Sequence, residues 1–137
     1  MLELWRACGL TRPWNDPQKD IARKLRVQPE LFLVAVLDDA SNGGEDDENG
    51  EVVGTAMAGY DGHRGWVNYL AVSPGHQGRG VGRALMAEAE TRLRALGCPK
   101  LNLQVRAGNA AALGFYGALG YRRDAVVSLG ERLERDA

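Results

Sequence analysis

Cysteine and histidine are scarce in this 137-residue chain: Cys8 and Cys98 stand alone, in no CxxC pair, and neither His63 nor His76 lies near them. That scarcity excludes a disulfide framework and leaves a zinc site nothing to build from, so no metal is expected and two reduced thiols are the plain reading. An excess of one charge is missing too. Lys plus Arg total 17 and Asp plus Glu 18, which gives no footprint for nucleic acid and no field for a membrane surface. No segment approaches the roughly 20 apolar residues of a membrane span, and "MLELWRACGL" lacks the apolar core of a secretion signal. The expected location is the cytoplasm.

What remains is an ordinary globular composition, 45% hydrophobic and 26% charged. A chain of this length fits one domain, taken as residues 1–137, and buries roughly 68% of its unfolded surface. Leu2, Leu4, Trp5 and Cys8 suit one face of a short helix over residues 2–9. "TRPWNDP" breaks it, Asp16 is placed to cap a second short helix, and Ile21, Leu25 and Val27 mark the apolar side of that helix. "LFLVAVL" is a continuous apolar run that reads as a strand buried on both faces. Residues 38–50, "DDASNGGEDDENG", read as a solvated loop.

"EVVGTAMAGYD" and "WVNYLAV", joined by "GHRG", form an antiparallel hairpin. Val81, Leu85, Ala89, Leu93 and Leu96 recur at helical spacing, with Glu88/Arg92 and Glu90/Arg94 as exposed pairs, until Gly97 and Pro99 end the helix. "KLNLQV" alternates as a strand, residues 109–119 form another helix closed by Gly120, and Val127, Leu129 and Leu133 suggest a final strand. This order predicts an α/β fold, a mixed and mostly antiparallel central sheet flanked by helices. A sheet beginning near residue 30 has a bare first edge, which invites pairing with a second copy in a homodimer.

"SPGHQGRGVG", residues 73–82, sets four glycines between a strand and the best helix. The first helical turn carries N–H groups with no internal acceptor, and with the positive end of the helix dipole they form a phosphate site where side chains shrink to hydrogen. A Walker A loop is excluded, because Gly82 is followed by Arg83 and Ala84 rather than Lys and Ser or Thr. A dinucleotide fingerprint fits poorly, since Gly78, Gly80 and Gly82 are spaced by two and follow a hairpin strand.

"QGRGVG", Gln77 to Gly82, does match the Q/R-x-x-G-x-G/A signature, and "NAAALGFYGALGY", Asn109 to Tyr121, the N-x-x-A-x-x-F-Y-x-x-x-G-Y signature, of the GCN5-related N-acetyltransferases. The chain resembles that family over residues 1–133, and "RPWNDP", "GYDGHRG" and "SLGERL" look like its small bacterial members of the YpeA type. The resemblance implies the acyl-CoA N-acyltransferase fold, from which the first family strand is missing here. It also implies acetyl-CoA as cosubstrate, held by Leu70, Ala71 and Val72, by Gln77, Gly78, Arg79, Gly80, Val81 and Gly82, and by Asn109. The expected reaction is direct attack of a primary amine on the thioester in a ternary complex.

In that scheme the resemblance assigns the Leu70 amide to the oxyanion and the Tyr116 hydroxyl to the leaving sulfur. The place of a glutamate base in some relatives is taken here by Trp66, so a low-pKa amine or a water-borne base is favoured. An α-amine near 7.7–8.0 is neutral far more often at pH 7 than a lysine near 10.4. Asp61, His63, Asn68 and Tyr69 are candidates to anchor such a water, and Trp14 and Asp16 candidates for an acceptor lip. His63 also reads as an exposed turn residue, Asp16 as a plain helix cap and Trp14 as a packing residue. A non-catalytic acyl-CoA-binding module is the alternative function.

Overall fold

The computed structural model describes residues 2–37, 51–134 and 136. Two short helices, α1 (Leu2–Ala7) and α2 (Pro17–Lys24), precede strand β1 (Phe32–Leu37), followed by β2 (Glu51–Tyr60), β3 (Gly65–Val72), α3 (Val81–Ala95), β4 (Leu101–Leu103) and α4 (Ala110–Ala118). The four strands lie in the order β1-β2-β3-β4, antiparallel except for the parallel β3/β4 pair. The mixed sheet flanked by helices is therefore as the sequence predicts. The 38–50 stretch lies outside the described residues.

Two apolar layers sandwich the sheet. On one face Leu85, Met86, Ala89 and Leu93 of α3 pack on Leu33, Ala56, Ala58 and Val67. The opposite face carries Leu4 and Trp5 of α1 against Ala71, with Phe32, Met57, Tyr69 and Ile21 of α2 around them. The helical period of α3 explains the first layer, and the predicted i,i+4 pairs form on its outer side, Glu88–Arg92 at 2.8 Å and Glu90–Arg94 at 3.8 Å. Asp16 caps α2, its carboxylate accepting from the Gln18 and Lys19 amides at 2.9 and 3.3 Å.

Four expectations need correction. β1 is not buried on both faces: it is the edge of the sheet, and Val34, Val36 and Leu37 are exposed. A continuous apolar run cannot by itself separate a central strand from an edge. Helix α2 stops at Lys24, and Leu25 and Val27 beyond it are exposed. The strand "KLNLQV" is trimmed to Leu101–Leu103. The final strand does not form, for Val127, Leu129 and Leu133 stand open to solvent. Side chains bridge that segment to the β4 region instead, Lys100 to Asp124 at 2.9 Å and Gln104 to Ser128 at 2.6 Å, in place of a backbone ladder.

Candidate functional site

β3 and β4 start together and separate. Gly65, Trp66 and Val67 pair with Leu101, Asn102 and Leu103, and the ladder ends there. Beyond that point the second half of β3 diverges from the chain leaving β4. The gap widens into a cleft of about 2530 Å³ lined by Leu70 to Val72, Gln77, Gly78, Gly80 to Gly82, Asn109 and Tyr116. Most of the predicted cofactor residues thus share one wall-to-wall opening. Arg79 is exposed and lies outside that lining.

At the cleft mouth the chain turns from β3 into α3 through Ser73 to Gly80. Gly78 and Gly80 have φ of 78° and 83°, in the left-handed region that disfavours a side chain, and a Cβ at either would meet nothing within 4 Å. Turning therefore requires both glycines, and the space beside them is open. Gly82 answers to packing, since its Cβ would lie 3.0 Å from Phe115 of α4. Gly80 caps α3 with no side-chain hydrogen bond, so the donors of the first turn face the opening without a protein cap. Gln77 Nε2 and Cys8 Sγ both donate to the Val72 carbonyl, at 3.1 and 3.2 Å. Burial pushes the Cys8 thiol pKa up.

Midway along β3 the period of two breaks. Pairing with β2 runs from Asn68↔Met57 to Ala71↔Thr55, so Tyr69 and Leu70 together oppose Ala56. This bulge has Tyr69 at φ 51°, a left-handed conformation that costs a non-glycine residue about 1–3 kcal/mol. It also reverses the faces. Gly65 and Val67 look toward α3, whereas Tyr69 and Ala71 look toward α1 and α2, and Leu70 takes the α3 side. Fully buried Thr55 donates to the Tyr69 carbonyl at 2.8 Å and accepts from Trp5 Nε1 at 2.9 Å. The Tyr69 phenol donates to Asp20 at 2.5 Å, and burial with that contact drives its pKa upward.

Tyr116 enters the cleft from α4, whose first turn is capped by Asn109 Oδ1 accepting from the Ala112 amide at 3.1 Å. Its ring meets Phe115 and Tyr121 edge-on at 5.1 and 5.9 Å, and Tyr121 ties to Glu90 of α3 by a 2.5 Å hydrogen bond. Burial pushes the Tyr116 hydroxyl up to about 12, which keeps it protonated and fit to donate at neutral pH.

Of the acceptor candidates, Trp66, Asn68 and Tyr69 line the cleft. Asp61 and His63 do not: Asp61 closes the hairpin turn, accepting from the His63 and Arg64 amides at 2.8 and 2.7 Å, and those contacts hold its carboxyl below the usual range. Asp16 is occupied as the cap of α2, and Trp14 lies under the Arg106 guanidinium, 5.5 Å from the ring centroid. Sequence reading passed over Trp5, Thr55, Asp20 and buried Lys24, a residue that also borders the cleft and whose amine pKa burial lowers. The one available signal was a lone hydroxyl in "VVGTAMAG", an otherwise apolar strand.

A sheet parted beside a bulge, with a glycine turn on one side and a tyrosine-bearing helix on the other, defines an α/β domain of the acyltransferase type. Residues 1–121 match the model of the Acetyltransferase (GNAT) family, and the chain belongs to that family. Curated relatives include an acetyltransferase of Pectobacterium atrosepticum, 47% identical over 136 residues covering 99% of this chain and 89% of the relative. A Yersinia pseudotuberculosis acetyltransferase is 49% identical over 130 residues, 95% of this chain and 84% of the relative. Among solved structures, Ard1 from Thermoplasma volcanium superposes with a TM-score of 0.71 at 25% identity, covering 90% of this chain and 77% of that one. The ribosomal-protein-S18-alanine N-acetyltransferase from Escherichia coli gives 0.62 at 26% identity, over 88% and 70% of the two chains. No helix among the described residues is long and apolar enough to cross a membrane.

Proposed function

We propose that the protein is an acetyl-CoA-dependent N-acetyltransferase acting on a primary amine. The observation that carries this reading is the parting of β3 from β4 at Val67 and Leu103, beside a bulge that leaves Leu70 with no ladder partner on either side. Uncapped donors at the start of α3, and open space where Gly78 and Gly80 carry no side chain, fit the pyrophosphate of acetyl-CoA. The β4-side edge of Leu70 to Val72, which β4 no longer pairs, fits its pantetheine arm, and acetyl-CoA supplies the activated thioester.

The amine attacks the thioester carbon, and the C–S bond breaks as the C–N bond forms. Negative charge on the carbonyl oxygen is met by the Leu70 amide, a donor of the kind whose removal costs about 10²–10³ in rate. The Tyr116 hydroxyl donates a hydrogen bond to the departing thiolate and keeps its own proton, the amine's proton leaves to water, and the thiolate equilibrates with solvent. With no acid at Trp66, Asn68 or Leu70, an acceptor whose amine is already partly neutral is favoured, an α-amine above a lysine. The alanine acceptor named for the Escherichia coli structural neighbour is compatible with that class.

The test is CoA release across an amine panel, run beside a thermal shift with acetyl-CoA. Release with α-amines is expected. A shift without release would favour an acyl-CoA-binding module, and neither response would end both readings.

A further inference from the structure

The buried polar contacts beneath the bulge have no part in the transfer chemistry itself, yet they act on its oxyanion donor. We infer that Thr55, with Trp5 behind it, is a positioning residue that aims the Leu70 amide into the cleft by holding the Tyr69 carbonyl. The inference rests on the N-acetyltransferase reading of that cleft.

The hydrogen-bond directions are fixed by chemistry. An indole N–H only donates, so the Thr55 hydroxyl must accept from Trp5 Nε1, 2.9 Å away. Its single proton is then committed to the Tyr69 carbonyl at 2.8 Å. The bulge has removed that carbonyl from the regular β2/β3 register, and a buried carbonyl without a donor is costly. Thr55 is the donor that satisfies it.

Planarity carries the effect across the bond. The Tyr69 carbonyl and the Leu70 N–H belong to one trans peptide unit, in which C=O and N–H point in opposite directions. β3 lies between β2 and β4. The Thr55 hydroxyl stands on the Trp5 face of β2, so a carbonyl drawn to it turns the Leu70 N–H away from β2 and from that face, and β4, which has parted there, leaves the opposite side open. Two further contacts stop the unit from swinging. Trp5 stacks on the Tyr69 ring with centroids 3.9 Å apart and planes 12° from parallel, and the Tyr69 phenol is bonded to Asp20 at 2.5 Å. Tyr69 is held by its carbonyl, its ring face and its hydroxyl, which is how a left-handed tyrosine persists in a strand.

Thr55→Val keeps the side-chain shape and deletes the hydroxyl. The expected result is a fall in kcat of about 10- to 100-fold, the scale for a displaced donor, with the KM for acetyl-CoA near the wild-type value because the glycine turn is untouched. Thr55→Ser restores the hydroxyl and most of the rate. Leu93→Val, on the opposite face, lowers Tm and leaves kcat unchanged well below it. The Tyr69 HN–Hα coupling, read on the ligand-free protein, distinguishes left-handed from extended backbone: Thr55→Val should move it toward the extended value and Thr55→Ser should not. An unmoved coupling in Thr55→Val overturns the inference whatever the rate, and so does an unmoved kcat in an active enzyme, or a serine variant as slow as the valine one. Were the wild type to release no CoA with any amine, the acetyl-transfer reading would fail, and the coupling alone would decide for or against the Thr55 contact. If Thr55→Val does not fold, Trp5→Phe keeps a stacking ring, deletes the N–H that commits the Thr55 proton to the carbonyl, and should move rate and coupling in the same direction by a smaller amount.

Discussion

The two halves of β3 are built from one strand and behave as different materials. Gly65 to Val67 are paired on both sides, with Gly65 and Val67 pressed against α3, and a methyl group added at Gly65 would lie 2.8 Å from Cys98 Sγ and 3.0 Å from Leu93. Asn68 to Val72 have lost β4, carry a bulge and a left-handed tyrosine, and border open space. The first half fixes where the second half stands, and the second is free to present backbone donors because it has no ladder to complete on the β4 side. Scaffold and site are divided by a single register shift rather than by separate domains.

Substitutions should respect that division. The largest effect is expected from Tyr116→Phe on the open side: kcat lower by up to about 10²–10⁴ with turnover still measurable, because a hydrogen bond assists the leaving thiolate without being indispensable to it. Wild-type turnover in that variant would remove Tyr116 from the chemistry. On the closed side, Gly65→Ala should overpack the α3 layer and lower stability by about 1–3 kcal/mol in denaturant titrations, with kcat unchanged. A slowed but fully stable Gly65→Ala would erase the distinction between the halves.

Gly80→Ala should place a side chain in a left-handed position at a cost of about 1–2 kcal/mol and raise the KM for acetyl-CoA more than it lowers kcat, as initial-rate kinetics would show. The smallest change is expected from alkali. With the Tyr116 phenol raised to about 12, the rate should show no downward limb from this group as far as pH ~10, the ordinary phenol value. The sign for stability comes from the same shift. A folded-state value above the ordinary ~10 gives a contribution complete below pH ~10, and it is lost as pH climbs toward the raised value. An inflection in kcat near neutrality that vanished in Tyr116→Phe would contradict this.

Periodic features were legible in the chain. The spacing of Val81, Leu85, Ala89 and Leu93 dictates α3, the short "GHRG" connection dictates an antiparallel hairpin, and the glycine turn is visible because left-handed backbone leaves a compositional trace at Gly78 and Gly80. The bulge left none. Inserting one residue into "WVNYLAV" swaps the faces of Tyr69 and Leu70 while keeping both apolar enough for either layer. β1 and the segment around Val127 were misread for a related reason: an apolar run reports that burial is favourable, whereas pairing partners decide whether it happens. Thr55 escaped notice because its worth depends on a carbonyl fourteen positions away in sequence.

Of the three tryptophans, Trp14 and Trp66 are 50% and 36% exposed, whereas Trp5 is sealed at 0% against Tyr69. A small aqueous quencher would therefore reach two indoles and spare the third. The fluorescence that survives comes from directly beneath the bulge, giving a label-free optical report of whether that seat remains shut while acceptors come and go.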